Sequence, residues 1–291
     1  MNKIKGEVVL LITALIWGFA FVAQSSGMEH IGPFTFNVVR FFLGLTSLFI
    51  VLLIKKRKSG KPLFSKTSLI GGSICGIFIF IATSFQQYGI QFTSVGKTGF
   101  ITSLYMLIVP LFSLFLKKKI PLNTWISLII GVIGLYFLCI NQNFKIAKGD
   151  IFIFICAIGF AFQIMFVDYF SPKVDSIEIS CVQFGVATLL SIVPMVACEK
   201  VVLSNILDAK WSLLYAGILS CAIAYTTQIY GQKHVNPSIA SLLMSLESVF
   251  AVLGGMLILD ETLSSKEWIG CILIFIAVLL SQLKLQNIKK S

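Results

Sequence analysis

The sequence predicts an all-α integral membrane protein whose ten transmembrane helices form two inverted five-helix repeats. Three observations predict this fold class. The 291 residues are 57% hydrophobic and only 12% charged, roughly half the charged fraction of a soluble domain. The apolar residues fall into runs long enough to cross a bilayer core of roughly 30 Å at about 1.5 Å per helical residue. The same residue pattern also recurs in both halves of the chain at a nearly constant offset.

Apolar runs of spanning length follow one another along the chain, with Gly, Pro, Lys or Asn at most of the short joins. The predicted spans are Val8–Gln24, Thr35–Ile54, Ser68–Gln91, Val95–Leu116, Thr124–Ile140, Ile151–Tyr169, Ile177–Ala197, Trp211–Gly231, Pro237–Leu259 and Trp268–Leu283. The separation of the third span from the fourth depends on a tight turn at Gln91–Gly96. We expect each span to be one continuous helix.

The second half of the chain repeats features of the first. The aligned segments, at offsets of 143 or 142 residues, are Gly6-Glu7 with Gly149-Asp150, Val39-Arg40-Phe41 with Val182-Gln183-Phe184, Tyr88-Gly89 with Tyr230-Gly231, and Ser103-Leu104-Tyr105 with Ser245-Leu246-Glu247. Because each half contains an odd number of spans, the second copy must enter the membrane upside down. The chain is therefore predicted to consist of repeats 1–144 and 145–291, a build typical of secondary transporters with a site near the midplane.

Basic residues predict the orientation. With the N-terminus in the cytoplasm, inner segments carry 16 Lys or Arg residues and outer segments carry 6. By the positive-inside rule both termini and the loop Lys55–Lys61 are cytoplasmic, while Lys145–Asp150 is outside. The net charge of +11 is then a topology signal in a multi-pass protein of the plasma (inner) membrane, and it does not indicate nucleic-acid binding.

Glu247 is the most unusual residue, because it is the only charged side chain between His234 and Asp260. A carboxylate at this depth costs roughly 2.5–3.5 kcal/mol on insertion scales, so such residues usually face a bundle interior or a watery cavity. One interpretation is a switch that couples a proton or a conformational change to transport. The alternative is a neutral acid that hydrogen-bonds between helices and has a structural role only.

Polar and aromatic side chains recur at helical spacing on five spans, in a pattern that suits a cavity for an amphipathic solute. The predicted substrate-binding residues are Trp17, Gln24, Gln87, Thr102, Tyr105, Phe160, Gln163 and Gln228. In this hypothesis the aromatic rings pack the solute and the amides hydrogen-bond it. For any single residue, an ordinary contact between helices is the alternative.

Two basic residues lie near the outer ends of spans. Arg40 is expected to anchor the second span by reaching outward, and Lys97 to stand at the mouth of the fourth. A substrate role for either residue is the alternative. The sequence contains no nucleophile–base pattern, metal-ligand spacing or nucleotide-binding loop, so we expect no metal, no cofactor and no enzymatic activity.

These features resemble the drug/metabolite transporter superfamily in its EamA-type, ten-helix branch. The segments that carry the resemblance are Trp17-Gly18-Phe19-Ala20-Phe21, Arg40-Phe41, Gly96-Lys97, Ser245-Leu246-Glu247 and Trp268-Ile269-Gly270. The family commonly has a proline directly after the glutamate of the ninth helix, where this chain has Ser248, so a kink there is not expected. The resemblance implies a permease without a covalent cofactor, often an exporter of amino acids or other small metabolites.

We therefore predict a secondary transporter that moves a small organic metabolite, such as an amino acid, across the plasma membrane by alternating access, with export favoured. Its partners are the solute and the lipid bilayer, and the sequence leaves a homodimer open. The alternative is a passive channel or a lipid-translocating protein, which needs a continuous polar path or a lipid-open groove.

Overall fold

A computed structural model of the chain describes residues 2–57, 62–117, 120–139, 148–258 and 264–282, and it contains helices but no strand in those residues. Within them, eight helices are long and apolar enough to cross a membrane, and Leu122–Phe137 is a shorter apolar helix. The protein is thus an all-α, multi-pass membrane protein, while the count of ten spans stays a prediction. The charged segments 58–61, 118–119, 145–147, 260–261 and 284–290, used to predict topology, lie outside the described residues.

The α-helices are α1 (Asn2–Gly27), α2 (Pro33–Arg57), α3 (Lys66–Gly89), α4 (Val95–Ser103), α5 (Tyr105–Phe115), α6 (Leu122–Cys139), α7 (Lys148–Phe170), α8 (Ser176–Cys198), α9 (Leu203–Asp208), α10 (Lys210–Leu214), α11 (Thr226–Gln232), α12 (Pro237–Met244), α13 (Glu247–Ile258) and α14 (Ser265–Gln282). A 3₁₀ turn, Ile90–Phe92, follows α3, and a π-helical segment, Tyr215–Tyr225, joins α10 to α11. The turn predicted at Gln91–Gly96 is present.

Polarity is inverted relative to a soluble protein. Large apolar side chains face outward, among them Phe115, Val196 and Trp211. Amide side chains are fully buried, including Gln87 and Gln163. Lipid favours an apolar exterior, and polar groups in a membrane bundle find partners only inside it.

Helix packing joins the two halves of the chain. α3 packs against both α7 and α8, α1 packs against α13 and the π segment, α2 packs against α8, and α6 packs against α14. Two crossings depend on glycine, because an added Cβ would meet backbone. A Cβ at Gly6 would lie 3.0 Å from the Gly231 carbonyl oxygen, and one at Gly149 would lie 2.6 Å from that of Gly89. Small residues let helix backbones approach closely in membranes.

Three predicted spans are not continuous α-helices, and this corrects the sequence-based expectation. The fourth is interrupted at Leu104 between α4 and α5, and the ninth at Ser245–Leu246 between α12 and α13. The eighth contains the π segment. The break before Glu247 occurs although Ser248 replaces the family's usual proline.

Serine hydroxyls account for the break in the ninth span. Ser245 Oγ donates to the Leu242 carbonyl oxygen at 2.8 Å and Ser248 Oγ to that of Ser245 at 2.7 Å. Such bonds compete with the regular helical ladder and bend helices. Ser103 Oγ, beside the other break, also donates to the Ser245 carbonyl at 3.4 Å. The two breaks therefore meet, and serine side chains satisfy the carbonyl that the break exposes.

Candidate functional site

A cavity lies deep in the bundle, where α1, α2, α3, α7, the π segment, α11 and the two broken spans meet. Its lining residues are Trp17, Ala20, Phe21, Gln24, Arg40, Gln86, Thr102, Tyr105, Phe160, Gln163, Ile164, Ser220, Tyr225, Gln228 and Glu247. About 30 Å³ of the cavity is open to water, and a single water molecule needs about 10–15 Å³. In this conformation the cavity therefore holds a few waters at most.

Most residues predicted to bind substrate lie on this cavity wall. They are Trp17, Gln24, Thr102, Tyr105, Phe160, Gln163 and Gln228. Gln87 is fully buried beside the wall and donates from Nε2 to the Gln24 carbonyl oxygen at 3.2 Å. The neighbouring Gln86 lines the cavity in its place and donates to Thr102 Oγ1 at 3.2 Å. Geometry thus brings the predicted residues together, while their role in binding stays a hypothesis.

Glu247 lies on the cavity wall as the first residue of α13 and is 3% exposed. Its Oε1 has no hydrogen-bond partner in the described chain. The break at Ser245–Leu246 therefore places this carboxyl at the start of a helix and on the cavity wall.

Arg40 is placed differently from the outward anchor that the sequence suggested. It is 3% exposed and lies on the cavity wall. Nη1 donates to Gln24 Oε1 at 3.1 Å, whereas Nε and Nη2 have no partner in the described residues. The guanidinium carbon lies 5.5 Å and 4.9 Å from the ring centroids of Phe36 and Phe41. Aromatic rings stabilise a cation at such distances, so Arg40 is held inward by an amide and two rings.

Helical spacing places Tyr225, Gln228 and Gln232 on one stripe of the eighth span, but it does not identify Ser220 of the π segment. Ser220 and Tyr225 line the cavity, and the Tyr225 ring contacts Trp17 edge-on with centroids 4.7 Å apart. The π turn changes the angle between successive side chains, so a stripe counted at 3.6 residues per turn drifts off the cavity. Gln232, which shares the predicted stripe with Gln228, instead donates to the Ile164 carbonyl at 3.1 Å. Such turns frequently occur at functional sites.

Polar contacts join helices at the end of the bundle that holds Lys55, which we call the Lys55 end. Gln163 and Gln228 exchange two amide hydrogen bonds, of 3.3 and 3.0 Å. At the surface of that end, Lys55 pairs with Asp175 and Lys56 with Glu178. Glu178 also accepts from Ser68 Oγ at 2.8 Å. The two ion pairs and the Ser68–Glu178 hydrogen bond join elements before residue 145 to elements after it. The Gln163–Gln228 amide pair lies within the second half of the chain.

The Asp175 carboxyl is charged across the neutral range. Burial opposes its ionisation, but hydrogen bonding to Lys55, the Lys55 charge and the Ile177 backbone outweigh burial and hold its pKa below the usual value. A lowered pKa means that the pair is intact above about pH 4 and is lost only as the pH falls through the native pKa.

A second set of contacts joins the two halves of the chain at the opposite end of the bundle, which we call the Lys97 end. Lys97 pairs with Asp150, which also accepts from Thr93 Oγ1 at 3.1 Å. Glu199 receives the backbone N–H groups of Phe34 and Thr35 at 2.7 Å each. That carboxylate therefore caps the N-terminus of α2 from the other half of the chain. Lys97, predicted at a mouth, lies at this end in an ion pair.

The chemistry of the site is that of a binding cavity. The described residues contain no cluster of three or more His, Cys, Asp or Glu side chains that could hold a metal ion. The wall combines one guanidinium, one carboxyl, several amides and a set of aromatic rings. Such a mixture can orient a small amphipathic molecule.

Comparison with known proteins gives one family. The EamA-like transporter family matches residues 4–140 and, again, residues 147–283. An uncharacterized transporter of Archaeoglobus fulgidus is 27% identical over 98% of this chain and 88% of its own length. The uncharacterized transporter YoaV of Bacillus subtilis is 26% identical over 93% of this chain and 94% of its own.

Two further comparisons agree. The uncharacterized inner membrane transporter YedA of Escherichia coli K12 is 25% identical over 91% of this chain and 87% of its own length. One protein of known crystal structure superposes with a TM-score of 0.76 at 20% identity, covering 96% of this chain and 98% of that one. At 20% identity, the likeness to this solved structure concerns the fold alone.

Proposed function

The chain belongs to the EamA-like transporter family, and on that premise we propose that it is a secondary transporter. It moves a small organic metabolite, such as an amino acid, across the plasma membrane by alternating access, and export is the favoured direction. The observation that carries the proposal is the mixed polar and aromatic cavity at the meeting point of two broken helices. Broken helices around a midplane site are a recurring feature of secondary transporters.

An inverted repeat of ten spans underlies the proposed mechanism. Residues aligned by the repeat contact each other: the Phe41 and Phe184 rings stack with centroids 5.8 Å apart, and Ser103 bonds to Ser245. A residue meets its own equivalent only near a two-fold axis. The glycine crossings support the same symmetry, because the pair Gly6 and Gly231 corresponds to the pair Gly149 and Gly89. The family matches at 4–140 and 147–283 agree with the proposed repeats 1–144 and 145–291.

Ion pairs at both ends of the bundle fit an alternating-access cycle. Two pairs at the Lys55 end, and the Lys97–Asp150 pair at the Lys97 end, tie the first half of the chain to the second. Opening either end requires its own set to break while the other set holds. The cavity would then widen from the present few-water volume to admit a solute.

Glu247 is proposed as the coupling residue. Its neutral form is favoured in a dry cavity because desolvation disfavours charge. Opening to water lowers that penalty, so a proton can be loaded and released as the cavity alternates. The competing role is structural, with the carboxyl serving only as a contact between helices.

The proposed function is tested by transport in proteoliposomes. Purified protein is reconstituted and offered a panel of radiolabelled amino acids, organic acids and amines, with and without an imposed pH gradient. We expect saturable movement of at least one solute that empty liposomes do not show. Equal, unsaturable leakage of all panel members would instead indicate a channel, and movement of fluorescent phospholipid alone would indicate lipid translocation.

The proposed orientation, with both termini cytoplasmic, has its own test. Lys173 and Lys200 are exposed and lie at the Lys55 and Lys97 ends. In intact cells, on a background without native cysteines, an impermeant maleimide should label Lys200→Cys and not Lys173→Cys. The opposite pattern would reverse the topology while leaving the transporter proposal intact.

A further inference from the structure

Arg40 lies on the cavity wall, and two of its three guanidinium nitrogens have no hydrogen-bond partner in the described residues. Nη1 is occupied by Gln24 Oε1, while Nε and Nη2 have no partner in the described chain. These two nitrogens lie on the same side of the planar group and donate two parallel hydrogen bonds. Parallel N–H donors of this kind match the two oxygens of a carboxylate.

The charge of Arg40 is not balanced by the described protein residues. An arginine side chain stays protonated in proteins, and an unpaired charge in a membrane interior is costly. Four ion pairs are present among the described residues, and Arg40 is in none of them. The one carboxyl on the cavity wall, Glu247, is not within ion-pair distance. An amide and two aromatic rings offset part of the cost, and a bound anion would offset more of it.

The rest of the wall restricts the shape of that anion. Trp17, Phe160 and Tyr225 present ring surfaces, which suit an apolar or aromatic body. Glu247 stands on the same wall, so a second negative group on the solute would meet a carboxyl group of the protein. One guanidinium therefore suits one carboxylate.

We propose that the transported solute is a monocarboxylate with an apolar or aromatic body, and that Arg40 binds its carboxylate through Nε and Nη2. This inference rests on the proposed transport function, since it names the solute class of the same cavity. Gln24 is a positioning residue here, because it accepts a hydrogen bond from Nη1 and leaves Nε and Nη2 for the carboxylate.

The test compares matched ligands on the purified full-length protein in detergent micelles, with thermal unfolding as the measure of binding. The probes are butyrate, 3-phenylpropionate, L-leucine and L-phenylalanine, each paired with its own primary amide. Sodium sulfate at equal ionic strength separates an organic carboxylate from any anion. We expect at least one carboxylate to bind at least 10-fold more tightly than its amide, since bonds to charged groups are worth about 1.5–3 kcal/mol. Carboxylates that bind no better than their amides, or a response to sulfate alone, would overturn the proposal.

Variants then assign the selectivity to Arg40. Arg40→Gln should abolish the preference for carboxylate over amide, and Arg40→Lys, which keeps the charge but loses the parallel donors, should reduce it. Arg57→Gln is the matched control, because Arg57 is exposed at the far end of the same helix. If Arg40→Gln does not fold, the binding of each carboxylate and its amide is compared between the wild-type protein and Arg40→Lys, and that comparison still tests the role of Arg40. A preference that survives in both Arg40 variants contradicts the assignment.

Transport results separate this inference from the function it rests on. If proteoliposomes move only neutral or cationic solutes, the transporter stands and the carboxylate site fails. If carboxylates bind selectively but no solute moves, the site stands and the transporter fails.

Discussion

Glu178→Gln should shift the closed-to-open equilibrium at the Lys55 end of the bundle toward the open state. In the structure the Glu178 carboxylate faces Lys56 and accepts from the Ser65 backbone at 3.2 Å and from Ser68 Oγ at 2.8 Å. Its side chain is 7% exposed and that of Lys56 is 14% exposed. Hydrogen bonds to a charged group are worth about 1.5–3 kcal/mol. Losing the negative charge should therefore cost about 2 kcal/mol, which shifts the closed-to-open equilibrium about 30-fold.

Asp175→Asn is the matched control at the same end. The Asp175 and Lys55 side chains are 32% and 51% exposed, and pairs at such exposure contribute only about 0–1 kcal/mol. The expected shift toward the open state is therefore less than about 5-fold. Because the pKa of Asp175 lies below its usual value, this carboxyl stays charged when the pH is varied around neutral. A pH change in that range therefore does not reproduce the loss of charge in Asp175→Asn.

Opening is measured by the labelling rate of a cysteine placed at Ser220, on the cavity wall, in a background without native cysteines. An impermeant maleimide is added to either side of oriented vesicles. Glu178→Gln should accelerate labelling from the Lys55 side by about 30-fold, and Asp175→Asn far less. A cysteine at Ile79, which is fully buried in the core, reports general unfolding and should stay unlabelled. Equal rates in the two variants would refute a closing role for the buried pair.

Three further outcomes follow from the structure. Trp17→Ala should impair transport at normal membrane abundance, whereas Trp211→Ala, at an exposed position, should not; equal transport rates would remove support for the cavity. Gly18→Ala should lower the unfolding temperature, since a Cβ would lie 2.3 Å from that of Phe250 and overpacking costs about 1–3 kcal/mol. Gly185→Ala, with open space around it, should be neutral in the same assay. Glu247→Gln should fold but lose pH-gradient-driven transport if Glu247 is the switch; full gradient-driven transport would assign it a structural role.

Much of the fold and of the site follows from residue spacing. Span length depends on bilayer thickness, so apolar runs locate helices without tertiary information. Side chains three or four residues apart share a helix face, so positions seven apart share it too. Trp17 and Gln24 were therefore expected on the same surface, and they lie on one cavity wall. Glycines at equivalent positions, such as Gly89 and Gly231, pack against backbone because close crossings need small residues.

Other features depend on interactions that spacing does not contain. The break before Glu247 involves serine hydroxyls that bond to carbonyls three residues back, and most serines in helices make no break. The π segment rotates Ser220 onto the cavity wall, and its start cannot be read from hydrophobicity. Arg40 is held in its inward position by Gln24 and two rings. Its distance from the end of the predicted span is compatible both with snorkelling outward and with a buried contact to an amide, so the sequence does not decide between them.

The proposed repeat is asymmetric in its charges. Arg40 aligns with Gln183 and Glu247 aligns with Tyr105, so each charged group has an uncharged counterpart in the other half. In a transporter built from inverted repeats, the inward-facing and outward-facing states exchange the conformations of the two halves. Identical halves would make those states equivalent for solute and proton alike. Because a guanidinium is present in one half and a carboxyl in the other, the two proposed states would differ in their affinity for an anion and for a proton, while the gradients of solute and proton set the direction of net transport.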